Sequence, residues 1–204
     1  MFKHVIWDFD GTLFDTYPVM AKIFKDLLKK EGIEEPLDEI MQHMQVSMSA
    51  AVIYYEKKYA VSSDFIKDFK ILQKTKGIEI AKPFNDIEDI CKYIHSTERK
   101  NYLYTHRGAS AITLLKKHGL YDYFSDFITF DQGFERKPNP DALNYLINEH
   151  TIHLDEALMI GDRELDLLAA KNAGISACYF NQEKEKNEYA DYTIDHFKKL
   201  YSII

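Results

Sequence analysis

The alternation of short apolar runs with longer amphipathic ones confines this chain to a small set of folds. Five runs of about five residues, rich in β-branched and aromatic side chains, read as strands: KHVIW (3–7), NYLYT (101–105), DFITF (126–130), ALMIG (157–161) and SACYF (176–180). Between them, ASAITLLKKHG (109–119), PDALNYLINEH (140–150) and ELDLLAAKNAG (164–174) carry helical periodicity. The first and third of these stop at a glycine suited to a helix C-cap. Strand and helix in alternation predict an α/β fold built on a doubly wound parallel sheet.

Residues 15–82 break that rhythm. Met20, Ile23, Phe24, Leu27 and Leu28 repeat at helical spacing, as do Phe65, Ile66, Phe69 and Leu72, and no convincing strand intervenes. Gly32, Gly77 and the pair Ser62-Ser63 punctuate the stretch as helix stops and starts, and KGIEIAKPF (76–84) reads as the return path. The expected organisation is therefore a core of residues 1–14 and 83–204 with an all-helical domain, 15–82, inserted after the first strand. A chain of 204 residues, 46% of them hydrophobic, can supply a substantial core and this lobe as well.

Charge and cysteine content narrow the function classes. A net charge of -7 offers no uniform basic surface for a phosphate backbone, so nucleic acid is not expected as a partner. Cys91 and Cys178 lie far apart without a CxxC pairing, which fits core thiols in a reducing compartment. The opening MFKHVIWDFDG is neither a signal peptide nor a membrane span, and a cytoplasmic location without membrane attachment is expected. The charged stretch NQEKEKNE (181–188) reads as a solvated loop.

In an open parallel sheet, ligands bind beyond the carboxyl ends of the strands. Asp8 follows the first strand, Thr105 closes the second, and Gly161-Asp162 ends another; Lys137 comes soon after a further strand and just before a helix. Asp8 and Asp10, two apart on an extended segment, should face one side. Two carboxylates so placed repel by roughly 4 kcal/mol at about 4 Å and an effective dielectric near 20. A divalent cation on oxygen ligands answers that repulsion, and Mg²⁺ favours one or two carboxylates, water and a substrate phosphate oxygen. Asp8, Asp10 and Asp162 are thus the expected metal seat, Asp8 the nucleophile and Asp10 the general acid. Thr105 and Lys137 would bind phosphate oxygens, and Gly11 permits the tight turn that brings backbone N–H groups close.

The order and context of these residues resemble the haloacid dehalogenase superfamily, in its large phosphatase branch, with a phosphoglycolate phosphatase-like layout. DFDGTLFDT is similar to the family's first motif, with Asp8 as nucleophile and Asp10 as acid/base. YLYTHR resembles the second, with Thr105 as the phosphate-binding hydroxyl, and RKPNPDAL the third, with Lys137 as the charge-neutralising lysine. MIGDRELDLLAAKNAGI is similar to the fourth, with Asp162 as metal ligand and Asp166 as a supporting carboxylate, and ADYTIDHFKKL to the closing strand and helix. The helical stretch sits where this branch carries a helical cap. The resemblance implies a Rossmann-like core and Mg²⁺-dependent hydrolysis of a small phosphorylated metabolite through an aspartyl phosphate. The dehalogenases proper lack the second aspartate, so the presence of Asp10 favours phosphoryl chemistry.

Several residues keep a plainer reading alongside the functional one. Asp15 or Thr16 is expected to N-cap the first inserted helix, ahead of Pro18. Thr12 either serves the site or bonds its own turn. Asp166 either orients Lys137 and the metal waters or is an exposed first-turn acid. His106 and Arg107 either line the phosphate site or are exposed. His150 and His153 belong to a surface turn rather than a metal pair, and YYEKKY (54–59) to a partly buried helix with a solvated lysine face. The competing functions are a phosphosugar mutase of the same family and a phospho-accepting or binding module without turnover.

Overall fold

The computed structural model describes residues 1–204. Six strands form one parallel sheet: β1 (His4–Trp7), β2 (Lys100–Tyr104), β3 (Phe124–Ile128), β4 (Ala157–Gly161), β5 (Ser176–Phe180) and β6 (Tyr192–Ile194). The strand order is β3-β2-β1-β4-β5-β6, so the chain winds outward from β1 in both directions. That topology places the switch point beside β1, where a crevice opens at the carboxyl ends.

By contact density the chain divides into two units, Met1–Phe14 with Pro83–Ile204 and Asp15–Lys82. The second unit is helical: α1 (Tyr17–Lys30), α2 (Leu37–Val46), α3 (Met48–Tyr59), α4 (Ser63–Lys74) and the short α5 (Lys76–Ile80). The first carries α6 (Ile87–His95), α7 (Ser110–Lys117), α8 (Asp141–Glu149) and α9 (Glu164–Asn172). No helix is long and apolar enough to cross a membrane.

Within the sheet unit, side chains alternate between two buried faces, as a sheet covered on both sides requires. Ile6, Tyr102, Tyr104 and Met159 pack with Ala142, Leu143 and Leu146 of α8 and Leu167, Ala169 and Ala170 of α9. On the other face Trp7 donates its indole N–H to Asn101 Oδ1 at 2.9 Å, and Asn101 Nδ2 donates to the carbonyls of Cys91 and Tyr123. One buried amide thereby ties β1, β2 and α6 together, with its polar atoms satisfied. Cys91 and Cys178 are free and buried.

Within the helical unit, Phe24 is the hub: its ring lies 5.2 Å from Tyr55, 4.8 Å from Phe65 and 5.0 Å from Phe69. Glu35 is also buried there and accepts hydrogen bonds from Lys58 Nζ at 2.6 Å and from the Tyr59 hydroxyl. Ser62 caps α4 by accepting from Phe65 N at 3.0 Å, and Ser47 caps α3 from Ala50 N at 2.9 Å. Thr16 does occupy the N-cap position of α1, but its hydroxyl makes no capping bond because its backbone is already in the helical region.

Several local expectations shift. β3 begins and ends two residues before the expected 126–130, because Thr129 and Gln132 form a capping box for a 3-10 turn at Phe130–Gln132. Gly77 lies inside α5 rather than stopping a helix, and α6 occupies a stretch to which the sequence reading assigned no element. His150 does not merely face solvent: its Nε2 pairs with Asp126 Oδ2 at 2.9 Å.

Candidate active site

Four segments reach the carboxyl edge of the sheet. β1 ends at Trp7, and Asp8, the next residue, stays anchored to the sheet by donating its N–H to the Ile160 carbonyl at 2.9 Å. Thr105 does the same beyond β2, donating to the Ile128 carbonyl at 2.9 Å. Asp162 follows Gly161 at the end of β4, and Asp166 lies in the first turn of α9. Gly161 is required by contact: a Cβ there would stand 2.3 Å from Asp166 Cβ. Only a bare backbone lets the Asp166 carboxylate press against the strand end.

Lys137 is the centre of the arrangement. Its ammonium donates to Asp8 Oδ1 at 2.6 Å, to Asp166 Oδ1 at 2.8 Å and to the Tyr104 carbonyl at 2.9 Å, so all three of its donors are used. Its Nζ also sits 4.4 Å from the centre of the Tyr104 ring, a favourable place for a cation. A phosphate would therefore meet the charge of Lys137 rather than a vacant N–H. Asp166 accepts a further bond at Oδ2 from the Arg163 backbone N–H at 3.1 Å, which fixes its orientation. The reading of Asp166 as the group that orients Lys137 describes this geometry; the exposed-acid reading does not, since Asp166 is fully buried.

Charge is unevenly distributed in this cluster. Burial and the neighbouring Asp166 charge push the Asp8 carboxyl up to about 6, against the pull of Lys137 and Arg163. For Asp166, burial also works against ionisation, yet Lys137, Arg163 and the hydrogen bonds hold its carboxyl below the usual range. Burial pulls Lys137 down, but the Asp166 and Asp8 carboxylates more than offset it and its ammonium is held above the ordinary value. One cation thus serves two buried carboxylates, and Asp8 carries the deficit.

That deficit is visible atom by atom. Asp8 is 1% exposed, and its Oδ2 has no hydrogen-bond partner although it is buried. Carboxylate oxygens of Asp8, Asp162 and Asp166 lie within 4.8 Å of one another. An unpaired buried carboxylate oxygen beside two further carboxylates fits a hard cation, which binds oxygen ligands. The trio could hold a metal ion. Asp162 is itself positioned by the Thr12 hydroxyl, which donates to its Oδ1 at 3.0 Å. Thr12 thus bonds Asp162 through its side chain as well as its own turn through its backbone N–H.

Two expected members, Asp10 and His106, take other positions. The carboxylate trio contains Asp166, not Asp10; Asp10 instead faces Arg107, whose Nη2 donates to Oδ1 at 2.6 Å and whose Nε lies 3.2 Å from both oxygens. The physical reason is that β1 stops at Trp7 and Phe9 is in a turn, so the same-face rule for extended residues two apart ends before Asp10. Gly11, at φ 84°, continues that turn. His106, expected among the phosphate ligands, accepts the Lys137 backbone N–H at its Nε2, 2.8 Å away, so that nitrogen is already taken. Thr105 is buried and its Oγ1 accepts from the Arg107 backbone N–H at 3.0 Å, which leaves its O–H to donate elsewhere.

Two residues at the site were not singled out from sequence. Tyr104 acts through its carbonyl and ring, and a backbone acceptor leaves no mark on residue identity. Arg163 stands 3.8 Å from Asp8 Oδ1 and 3.7 Å from Asp166 Oδ2, an additional cation at the acidic cluster. Its position between Asp162 and Asp166 in GDRELD was the available signal.

Known proteins resemble this chain over most of its length. The family model described as haloacid dehalogenase-like hydrolase matches residues 5–180. A phosphoglycolate phosphatase from Vibrio parahaemolyticus is 26% identical, over 99% of this chain and 96% of its own length. Pyrophosphatase PpaX from Halalkalibacterium halodurans is 23% identical, over 98% and 95%. Among solved structures, a hydrolase from Streptococcus pneumoniae TIGR4 matches with a TM-score of 0.69 at 26% identity, covering 99% of this chain and 97% of that one. A subfamily IA hydrolase of the same superfamily from Geobacter sulfurreducens matches the fold over 100% of both chains, with a TM-score of 0.80 at 19% identity. With most of its length matched and its strand ends carrying the acids, this chain belongs to the haloacid dehalogenase-like hydrolase family.

Proposed function

We propose that this hydrolase is a Mg²⁺-dependent phosphatase that cleaves a small phosphomonoester through an aspartyl phosphate on Asp8. The observation that carries the reading is Asp8 itself: Oδ1 is held by Lys137 while Oδ2, buried and unpartnered, is left to react or to ligate. Asp8 is the nucleophile, and one of its oxygens attacks phosphorus as the ester oxygen departs. Asp10 is the acid that gives the departing oxygen its proton, and then the base that takes one from the water that hydrolyses the acyl phosphate. Lys137 and the Thr105 hydroxyl counter the charge on the transferring group. Asp8 and Asp162 would hold Mg²⁺, with Asp166 alongside; when bound, the ion supplies a positive charge for the phosphoryl oxygens and relieves the repulsion among the carboxylates. The helical unit Asp15–Lys82 is read as the cap domain, and substrate choice is assigned to it.

The test is steady-state hydrolysis of an aryl phosphate, with phosphoglycolate and pyrophosphate added because the relatives bear those names. We expect turnover with Mg²⁺, none with EDTA, and recovery on adding Mg²⁺ back. A phosphorylated Asp8 should be trapped by rapid acid quench and found by mass spectrometry. Turnover that survives EDTA, or in the Asp8→Asn variant, defeats the assignment.

A further inference from the structure

The last residue of β2 and the segment after it grip Lys137 at both ends. The Tyr104 carbonyl accepts from Nζ at 2.9 Å, the Tyr104 ring lies beneath the same ammonium, and His106 Nε2 accepts from the Lys137 backbone N–H at 2.8 Å. Lys137 precedes a proline and lies in a turn between the 3-10 segment and α8, so no strand or helix hydrogen bond fixes its main chain. From this geometry we infer that His106 is a positioning residue: its neutral imidazole holds the main chain of Lys137 so that the ammonium spans Asp8 and Asp166. The inference deepens the phosphatase reading and rests on it for its kinetic consequence.

The chemistry of the contact requires a neutral ring. A backbone N–H can only donate, so Nε2 must present its lone pair and the ring proton resides on Nδ1. The surroundings enforce this state. Burial, with Lys137, Arg163 and Arg136 nearby, pushes the imidazole down to about 3, and Asp166 opposes that only weakly. The ring of His106 also meets Tyr104 edge to face, with centroids 6.1 Å apart, which fixes its plane. His106 is therefore matched to a backbone donor rather than to an anion, which a charged imidazolium would suit better.

The decisive pair of variants is His106→Gln and His106→Leu. Glutamine can present its amide oxygen near the place of Nε2, whereas leucine fills the space and accepts nothing. We expect His106→Leu to lower kcat by about 10- to 100-fold with KM changed by less than about threefold, since the loss falls on placement of a group that acts on the transferring phosphoryl. His106→Gln should recover most of that loss. Amide hydrogen exchange of the metal-free protein provides a second readout independent of turnover: protection of the Lys137 N–H is lost in His106→Leu and kept in His106→Gln. Normal kcat in the leucine variant, equal damage from both substitutions, or unchanged Lys137 protection would each overturn the inference. A wild type without phosphatase activity would instead sink the phosphatase reading, and the exchange measurement would still decide whether His106 holds Lys137.

Discussion

The two units each bury a carboxylate, and they treat it in opposite ways. In the helical unit, Glu35 is 5% exposed, receives hydrogen bonds from Lys58 and Tyr59, and is held below the usual carboxylate range, chiefly by the Lys58 hydrogen bond. In the sheet unit, Asp8 is 1% exposed, shares one ammonium with Asp166, keeps Oδ2 unpaired and is pushed up to about 6, chiefly by burial. The buried acid that receives an ammonium and a hydroxyl fastens the segment between α1 and α2 to the end of α3. The buried acid that is left short of partners is costly to the fold, and it is the one proposed above as the nucleophile.

The largest effect that sharpens this contrast is at Asp8. Asp8→Asn should reduce turnover by at least about a thousandfold while stabilising the metal-free protein. The sign follows from the raised carboxyl: the wild type is favoured below about pH 4 and loses that stability as pH rises through 6. In thermal melts with EDTA, the variant's advantage should be absent near pH 4 and reach about 3 kcal/mol by pH 8. An unchanged or lowered melting temperature at pH 8 would break the comparison.

Next in size is Gly161→Ala. With a Cβ placed 2.3 Å from that of Asp166, either α9 or the Asp166 side chain must move, at a cost of about 3 kcal/mol. Denaturant midpoints should register the loss, and kcat should fall with it because Asp166 holds Lys137. Glu35→Ala comes third: removing a charged acceptor from Lys58 and Tyr59 should cost about 2 kcal/mol. Hydrogen exchange should accelerate in α2 and α3, with kcat for an aryl phosphate within about twofold of wild type. Tyr59→Phe, which deletes one donor to Glu35, should cost about 1 kcal/mol by the same exchange measurement.

What the sequence revealed of the site depended on whether a residue's position follows from regular backbone. ALMIG and SACYF coincide with β4 and β5, and strand ends placed Asp8, Thr105 and Asp162 at the sheet edge. Asp10 lies past the strand in a turn, where period-two alternation says nothing, and its pairing with Arg107 was illegible for that reason. The role of His106 was also illegible, because its partner is a main-chain N–H distant in sequence. α6 does carry a helical signature, since Ile87, Ile90, Cys91 and Ile94 repeat at helical spacing. Its start was masked because Asp86 enters with φ 68° and makes no capping bond.

The point where the helical unit leaves and rejoins the sheet unit bears on how the chain folds. Phe14 and Pro83 form an antiparallel bridge, Phe84 N donates to the Leu13 carbonyl at 3.0 Å, and Asp15 N donates to the Lys82 carbonyl at 3.0 Å. The excursion therefore begins and ends at neighbouring atoms. If its helices form first, the loop that must close before β1 pairs with β2 becomes roughly fourfold shorter, which lowers the entropic cost of that pairing by about 1 kcal/mol. An excursion with touching ends is nearly neutral for assembly of the sheet, so its length and sequence can diverge while the residues at the strand ends keep their places.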